Sequence, residues 1–245
     1  MTKQGAGSAD GPANVDIAAA RRDVVLASLG FAVSGVGFGL AYGLAAREAG
    51  FSVIEATSMS VFVLAGAAQF AAVGLIADGS GWPSIVLLTA LLNARHLLYS
   101  AAIAPWLGGR SRLERAAMAH VLTDETFALS LAHFQRLGRA DVVGFWLAAG
   151  PDCLSWPIFT AVGVIGGQLI PDPAQFGLDV VFPAAMAGLA VKLATARPEV
   201  AAAIAGAALA VVGGILVGPA ISIVVGGFLA PIAGLLIERE REPSR

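Results

Sequence analysis

The feature that most limits how this chain can fold is a series of long apolar runs without charged side chains. The first run, from Val24 to Ala46, contains no Asp, Glu, Lys or Arg. About 20 such residues cross the hydrocarbon of a bilayer as a helix, and a signal peptide has a shorter apolar region. Only 13% of all residues are charged, against about 25% in soluble domains. The sequence therefore predicts an integral membrane protein.

Helix-length apolar segments recur along the whole sequence. We predict an all-α, polytopic transmembrane helix bundle of seven or eight helices, some of them broken. The segments are Val24–Ala46, Met59–Ala77, Ser84–Leu107, Met118–Gln135, Val142–Ile170, Leu178–Ala194, Val200–Val217 and Ala220–Ile237. The fourth is less apolar, and is predicted to be either a helix buried inside the bundle or a partial span.

Polar stretches mark the limits of this transmembrane domain. Residues 1–20 are small and polar and are predicted to be a disordered tail, and residues 238–245 a charged tail. The transmembrane domain is then 21–237. Similar residues begin the segments at Gly50 and at Phe176, which suggests an internal repeat of two three-helix units.

Two local patterns predict how the first helices begin and pack. Gly35, Gly39 and Gly43 recur every four residues, so they either form a face for close helix packing or reflect a general abundance of small residues. Ser52 and Glu55 have the spacing of a helix capping box.

Basic residues predict the orientation. Counting eight spans from a cytoplasmic N-terminus leaves ten basic residues inside and four outside, which favours cytoplasmic termini. The cluster Arg110, Arg112 and Arg115 falls on the outer side in this count, against the rule.

The clearest polar interruption lies in the third apolar segment, at Asn93, Arg95 and His96. A charged Arg at the centre of a bilayer costs about 2.5–3.5 kcal/mol on insertion scales. Either a carboxylate such as Asp124 or Asp152 pairs with Arg95 only to hold the bundle together, or Arg95 lies on a substrate pathway. A guanidinium is well suited to bind a substrate carboxylate.

Acidic residues form a second group of candidates. Asp124 and Glu125 are adjacent, and His120 lies four residues before Asp124, so His120 and Asp124 are predicted to share a helix face. The group is either a proton-relay or ammonium site or a set of ordinary solvated charges. Asp152 stands between Pro151 and Pro157, a pattern of either a broken helix that binds substrate or a proline kink.

Two weaker candidates complete the predicted site. Gln69 is a lone polar side chain that either bonds to a neighbouring helix or lines the pathway, and Asp179 near Pro183 repeats the broken-helix pattern. The predicted substrate-binding or translocation residues are Gln69, Asn93, Arg95, His96, Asp124, Glu125, Asp152 and Asp179.

Several classes of protein are excluded by what the sequence lacks. One cysteine, Cys153, excludes an internal disulfide and a multi-cysteine metal site, and no nucleotide-binding loop or nucleophile motif occurs. No basic run points to nucleic acid. We predict no cofactor, no metal and no enzymatic activity.

Four stretches, taken in order, resemble the AzlC-type branched-chain amino acid permeases. They contain AGAAQF within Gly43–Leu75, NARH within Leu91–Leu107, TDE within His120–Leu129, and DVVFPA within Phe176–Leu189. The resemblance implies a secondary exporter of valine, leucine and isoleucine, with methionine as a further candidate, in the bacterial cytoplasmic (inner) membrane. It also implies a small hydrophobic AzlD-type partner subunit and coupling to the proton gradient.

Two other functions compete with this expectation. A passive channel for a small polar solute would need a continuous polar lining, whereas the polar residues here cluster at a few depths. An intramembrane enzyme, the weaker alternative, would use His and carboxylate groups on a lipid and would release a product.

Overall fold

The computed structural model describes residues 16–169, 196–217 and 219–239, together with residues 184, 187, 191 and 194. The segment with Asp179 and Pro183 and most of both predicted tails lie outside them. The described residues form helices and no strand, as predicted. The helices are α1 (Ile17–Glu48), α2 (Val53–Phe62), α3 (Gly66–Ala77), α4 (Trp82–Asn93), α5 (Arg95–Ile103), α6 (Arg112–His120), α7 (Asp124–Leu137), α8 (Val142–Gln168), α9 (Arg197–Val217) and α10 (Pro219–Arg239).

Four helical segments of the described part are long and apolar enough to cross a membrane. They are Ile17–Glu48, Trp82–Leu107, Val142–Gln168 and Arg197–Leu216. The chain is therefore a multi-pass membrane protein, as predicted. The count of seven or eight helices and the internal repeat depend partly on residues 170–195, and they stay predictions.

Helices α1 and α8 run parallel and pack against each other along their whole length. Arg21 bonds to Asp141 and Ser28 to the carbonyl of Ala148, both pairs 120 residues apart. Gly43 faces Gly163, again 120 residues on, so the register is constant from one end to the other. Helices α2, α3 and α7 pack against this pair.

The glycines predicted as a packing face hold this pair together. A Cβ on Gly43 would collide with the carbonyl oxygen of Thr160, and it would lie 2.8 Å from the Cα of Gly163. A Cβ on Gly39 would lie 3.1 Å from the Cβ of Phe159. The two backbones are therefore in direct contact, and the predicted packing face is confirmed.

Helices α2 and α3 form a hairpin that enters the bundle and turns back, which we call the first hairpin. The predicted capping box of Ser52 and Glu55 begins it. The Gln69 side chain of α3 donates to Ser60 Oγ of α2 over 3.0 Å, a contact that a straight helix could not make across nine residues. Tyr42 contacts Met59 before the turn and Phe70 after it.

Helices α4 and α5 then cross the membrane in the direction opposite to α1. The chain passes from α4 into α5 through Ala94, which keeps helical dihedral angles. Trp106 at the end of this unit lies 5.9 Å from the ring of Phe134, next to His133, which bonds to Asp141 at the start of α8. The unit therefore ends at the face of the membrane where α1 and α8 begin, which we call the N-terminal face.

Helices α6 and α7 form a second hairpin, which enters from the N-terminal face. A short loop joins Leu107 to Arg112 at this face, and α7 returns to it, where Arg136 bonds to Asp23. The chain turns at Val121–Thr123, and His120 Nε2 donates to the carbonyl of Val61 at the end of α2. The two hairpins thus enter from opposite faces and meet at their tips.

This arrangement corrects two predictions made from the sequence and decides between two alternatives for a third. Met59–Ala77 is not one span, because the chain reverses at Val63–Ala65. For the fourth segment, Met118–Gln135, the structure agrees with the partial span and not with the buried helix, because the segment contains the turn at Val121–Thr123. His120 and Asp124 do not share a helix face, since His120 ends α6 and Asp124 begins α7.

Of the two alternatives stated for Pro151 and Pro157, the broken helix is excluded. Helix α8 continues through both prolines to Gln168. Each proline removes one backbone donor, and the close packing of α1 along α8 keeps the helix together. The breaks occur where no proline stands, at the two hairpin tips.

The hairpins also move the arginine cluster to the opposite side from the one predicted. The loop with Arg110, Arg112 and Arg115 lies at the N-terminal face, together with Arg21, Arg22, Arg136 and Arg139. Within residues 16–169 only Arg47 lies at the other face, since Arg95 is inside the bundle. Seven basic residues against one favour a cytoplasmic N-terminal face more clearly than the original count did.

Helices α9 and α10 correspond to the last two predicted spans. They pack antiparallel, with Gly213 against Ser222 near the turn and Gly234 against the carbonyl of Pro198 at the far end. The space of a missing side chain again allows the helices to approach closely.

Candidate functional site

A pocket lies where the two hairpin tips meet the middle of α1. Its empty volume is about 750 Å³, counting the part that is open to the surroundings. The lining residues come from the middle of α1, the first tip, α5, the second tip and α8.

The charged side of the pocket is built on Asp124, the first residue of α7. Arg95 Nη1 lies 2.8 Å from Asp124 Oδ2, and Tyr99 donates to Oδ1 over 2.6 Å. Tyr99 follows Arg95 by four residues, so the two side chains share a face of α5. The Arg95 side chain is 25% exposed, and its Nε–H is buried without a hydrogen-bond acceptor among the described residues. The ion pair therefore still has an unused donor.

Asp152 of α8 is tied to the second tip. Thr123 caps α7 by accepting from the backbone N–H of Thr126, and its hydroxyl is 3.2 Å from Asp152 Oδ2. Glu125, in the first turn of α7, also lines the pocket. Two carboxylates of the second tip and one of α8 thus face one guanidinium, so the pocket carries an excess of acidic groups.

His96 brings an imidazole ring to the pocket. Its Nδ1–H donates to the carbonyl of Asn93 over 3.1 Å, which leaves Nε2 as the nitrogen that can bind a proton. Asn93 itself does not line the pocket. Its Oδ1 is buried without a donor among the described residues, beside the junction of α4 and α5.

The other side of the pocket is aromatic. It consists of Phe31 and Phe38 from α1, Phe70 from α3 and Trp156 from α8. The Trp156 ring stacks on Tyr42 at 6.2 Å and meets Phe70 edge to face at 6.5 Å. A site with ionic groups on one side and rings on the other suits a small amphiphilic ligand.

The tip of the first hairpin brings the start of helix α3 to the edge of the pocket. Leu64 has φ +46°, and it is the one non-glycine residue with a positive φ in the described part of the chain. Such left-handed strain costs roughly 1–3 kcal/mol and is common at ligand sites. Helix α3 begins at Gly66 without a side-chain cap from the described residues. Residues 64–67 line the pocket, so the positive end of the α3 dipole lies at its edge.

Five of the eight residues predicted for the site surround this pocket. They are Arg95, His96, Asp124, Glu125 and Asp152. Gln69 lies behind the wall, bonded to Trp156, and Asn93 supports His96. Asp179 falls outside the described residues.

Sequence reasoning missed Tyr99, Thr123, the aromatic wall and the first tip. Two of these had a signal: Tyr99 stands four residues after Arg95, and Thr123 is a good N-cap residue before two acids. The aromatic residues had none, because they come from three helices whose contact is set by the fold.

A separate ionic cluster holds the N-terminal face together. Arg21 donates to both oxygens of Asp141, over 2.8 and 2.7 Å, and His133 Nε2 donates to Oδ2 over 3.0 Å. Asp141 lies in the loop before α8, and bonding to Arg21 and then to His133 lowers its pKa well below the usual range. The cluster joins α1, α7 and α8 at the face where the second hairpin enters.

Comparison with known proteins finds one family model that matches this chain. The family model described as AzlC protein matches residues 30–170, from near the middle of α1 to just past the end of α8. This range contains every residue that lines the pocket. The match covers more than half of the chain.

Named relatives agree with this match. The inner membrane protein YgaZ of Escherichia coli is 30% identical over 143 residues, 58% of each chain. An uncharacterized membrane protein of Archaeoglobus fulgidus is 34% identical, over 53% of this chain and 54% of its own. The branched-chain amino acid transport protein AzlC of Bacillus subtilis is 27% identical, over 60% and 57%. The chain thus matches under two thirds of each relative's length, and no solved structure matches it.

Proposed function

The chain belongs to the AzlC family, and from this premise we propose that it is a secondary transporter that exports branched-chain amino acids across the cytoplasmic membrane. The substrates are valine, leucine and isoleucine, with methionine as a further candidate. The observation that carries the proposal is the two-sided pocket at the hairpin tips. An ion pair with a spare donor stands on one side and four aromatic rings on the other.

Each end of an aliphatic amino acid has a matching partner in this pocket. The substrate carboxylate binds Arg95 and the N–H groups at the start of α3, both of which favour an anion. The ammonium binds among Asp124, Glu125 and Asp152. The side chain lies against Trp156 and the Phe rings, where burial of apolar area contributes about 25 cal/mol per Å².

The two hairpins offer a physical route for alternating access. They enter from opposite faces and meet at their tips, where His120 bonds to Val61, so movement of either one opens the pocket to its own face. The α1–α8 pair stays fixed, because its backbones are in contact. The second hairpin is the cytoplasmic gate and the first hairpin the outer gate.

Protonation of the acidic side of the pocket couples the cycle to the proton gradient. Asp124, Glu125, Asp152 and His96 surround one guanidinium, and each carboxylate repels the others. A proton bound there competes with the substrate ammonium for the same charge. Release of substrate on one side is thereby linked to uptake of a proton from that side.

A small AzlD-type membrane subunit is part of the proposal, because the family resemblance implies one. Its contribution is measured by producing the chain with and without this subunit and comparing transport. Export that needs both chains supports the partnership, and full export by this chain alone contradicts it.

The direct test uses vesicles that contain the purified transporter and are loaded with labelled valine. We expect efflux that saturates with valine, is competed by leucine, and is driven uphill by a proton gradient until an ionophore collapses it. Efflux that rises linearly with concentration and ignores the gradient would indicate a passive channel. Absence of valine transport, with or without the small subunit, would refute the proposal.

A further inference from the structure

Three buried polar side chains, Gln69, Ser60 and Thr160, lie directly behind the aromatic wall and are linked by hydrogen bonds to Trp156 of that wall. Trp156 Nε1–H donates to Gln69 Oε1 over 3.0 Å, and Gln69 Nε2–H donates to Ser60 Oγ, also over 3.0 Å. Ser60 and Thr160 then share a hydrogen bond of 2.8 Å. Ser60, Gln69 and Thr160 are completely buried.

This network of hydrogen bonds joins three helices at one point. Ser60 belongs to α2, Gln69 to α3, and Thr160 and Trp156 to α8. It therefore fixes both arms of the first hairpin to α8. Polar networks at full burial are costly to break, because each group left unpaired loses about 1–3 kcal/mol.

Trp156 connects the network to the pocket. Its ring lies against the first tip so closely that a Cβ on Gly66 would be 3.0 Å from the ring. The same ring lines the pocket. The indole can pivot only if its N–H leaves Gln69, so the amide fixes how far the ring projects toward a bound side chain.

We propose that Gln69 is a positioning residue that holds Trp156 in place and thereby sets the size of the aliphatic side chain that the site accepts. The inference rests on the proposed transport of aliphatic amino acids and adds a residue that determines its selectivity. Gln69 does not touch the substrate. It acts through the indole ring.

The test compares Gln69→Leu with the matched control Gln135→Leu. Gln135 is exposed near the end of α7, so its substitution changes the same chemical group away from the network. In the transport assay, KM is measured separately for alanine, valine and leucine. We expect Gln69→Leu to change the ratio of KM values between leucine and alanine by roughly tenfold, the effect of about one methylene in a pocket.

Trp156→Phe provides a second test through the partner of Gln69. It removes the indole N–H and keeps an aromatic ring, so the ratio of KM values between leucine and alanine should change in Trp156→Phe. Adding Gln69→Leu to this variant should change the ratio little further. Full additivity of the two changes would overturn the proposal, because independent sites add.

A spectroscopic readout separates this inference from the proposed function. With Trp82, Trp106 and Trp146 replaced by Phe, emission comes only from Trp156. Gln69→Leu should shift this emission, and Gln135→Leu should leave it unchanged. If no amino acid is transported, the proposed function fails, while the emission still reports whether Gln69 positions the ring.

One pattern of results would leave Gln69 with a structural role only. In that pattern Gln69→Leu lowers transport of alanine, valine and leucine by the same factor and leaves the Trp156 emission unchanged. Such a result overturns the inference even if the transporter is otherwise as proposed.

Discussion

At the scale of single residues, the central question is whether Arg95 and Asp124 serve transport or only hold the bundle together. Removing one partner of an ion pair leaves a charge without compensation, whereas removing both avoids this cost. The pair is 25% and 35% exposed, so the loss on breaking it is smaller than the 3–5 kcal/mol of fully buried pairs.

We predict that Arg95→Gln combined with Asp124→Asn restores stability but not transport. Each single variant should unfold at a lower temperature than the wild type, and the double variant should recover most of that difference. Valine efflux should stay at least tenfold below the wild type in all three, because the substrate carboxylate has lost its cation. Recovery of efflux in the double variant would show that the pair is structural.

Asp141 gives a prediction about pH. Its pKa is lowered in the folded protein by Arg21 and then by His133, so it contributes stability that is present above the unfolded pKa of about 3.9. That contribution is lost as pH falls below this value. The difference in melting temperature between wild type and Asp141→Asn should be full at pH 7 and shrink below about pH 4. A difference that stays constant from pH 7 to pH 3 would contradict this assignment.

The residues of the site were more predictable than their arrangement. A charged residue in an apolar run is costly wherever it lies, so Arg95 and the acids could be identified from the sequence. Trp156 and Phe70 gave no such signal, since apolar aromatic residues are ordinary in a membrane helix. Gln69 was found, and the alternative in which it bonds to a neighbouring helix is the one that the structure shows.

At the scale of helices, local sequence patterns predicted where helices begin and which faces pack. They failed to predict where the chain reverses direction. The Ser52 capping box and the Gly43 face are properties of adjacent turns, and both were found where expected. The reversal at Leu64 has no proline and no glycine at its strained position. It depends on contacts of α2 and α3 with α8, which are distant in sequence. The prolines of α8 suggested a break that does not occur. Packing on α1, which is also distant in sequence, supports the helix at these positions.

The α1–α8 contact can be tested with two glycines of α1. Gly43→Ala places a methyl group against the backbone of α8, whereas no atom of the described residues outside its own turn lies within 4 Å of a Cβ on Gly37. We expect Gly43→Ala to destabilise the folded protein by about 1–3 kcal/mol and Gly37→Ala to be neutral or slightly stabilising. The measurement is the thermal unfolding temperature in one detergent. Equal effects of the two substitutions would contradict the backbone contact.

At the scale of the whole molecule, the hairpins decide which loops share a face of the membrane. If α2–α3 and α6–α7 each crossed the membrane, Asp78 would lie on the same side as Arg22, and Gly108 on the opposite side. With two hairpins the reverse holds, because α4–α5 is then the one crossing between α1 and α8. The two topologies therefore differ at both positions.

Single cysteines at these loops test the topology directly. The natural thiol is removed as Cys153→Ala, and Arg22→Cys, Asp78→Cys and Gly108→Cys are made one at a time. Asp78 and Gly108 are exposed, and a Cβ on Gly108 would meet only Pro105 O at 3.9 Å, so both changes should be tolerated. We expect a membrane-impermeant maleimide to label Asp78→Cys on intact cells. Arg22→Cys and Gly108→Cys should react only after the membrane is opened, because positive charge places their face in the cytoplasm. If positions 78 and 22 were labelled from the same side of the membrane, the chain would cross the membrane at both hairpins. That result would contradict both the two-gate mechanism and the common pocket at the hairpin tips.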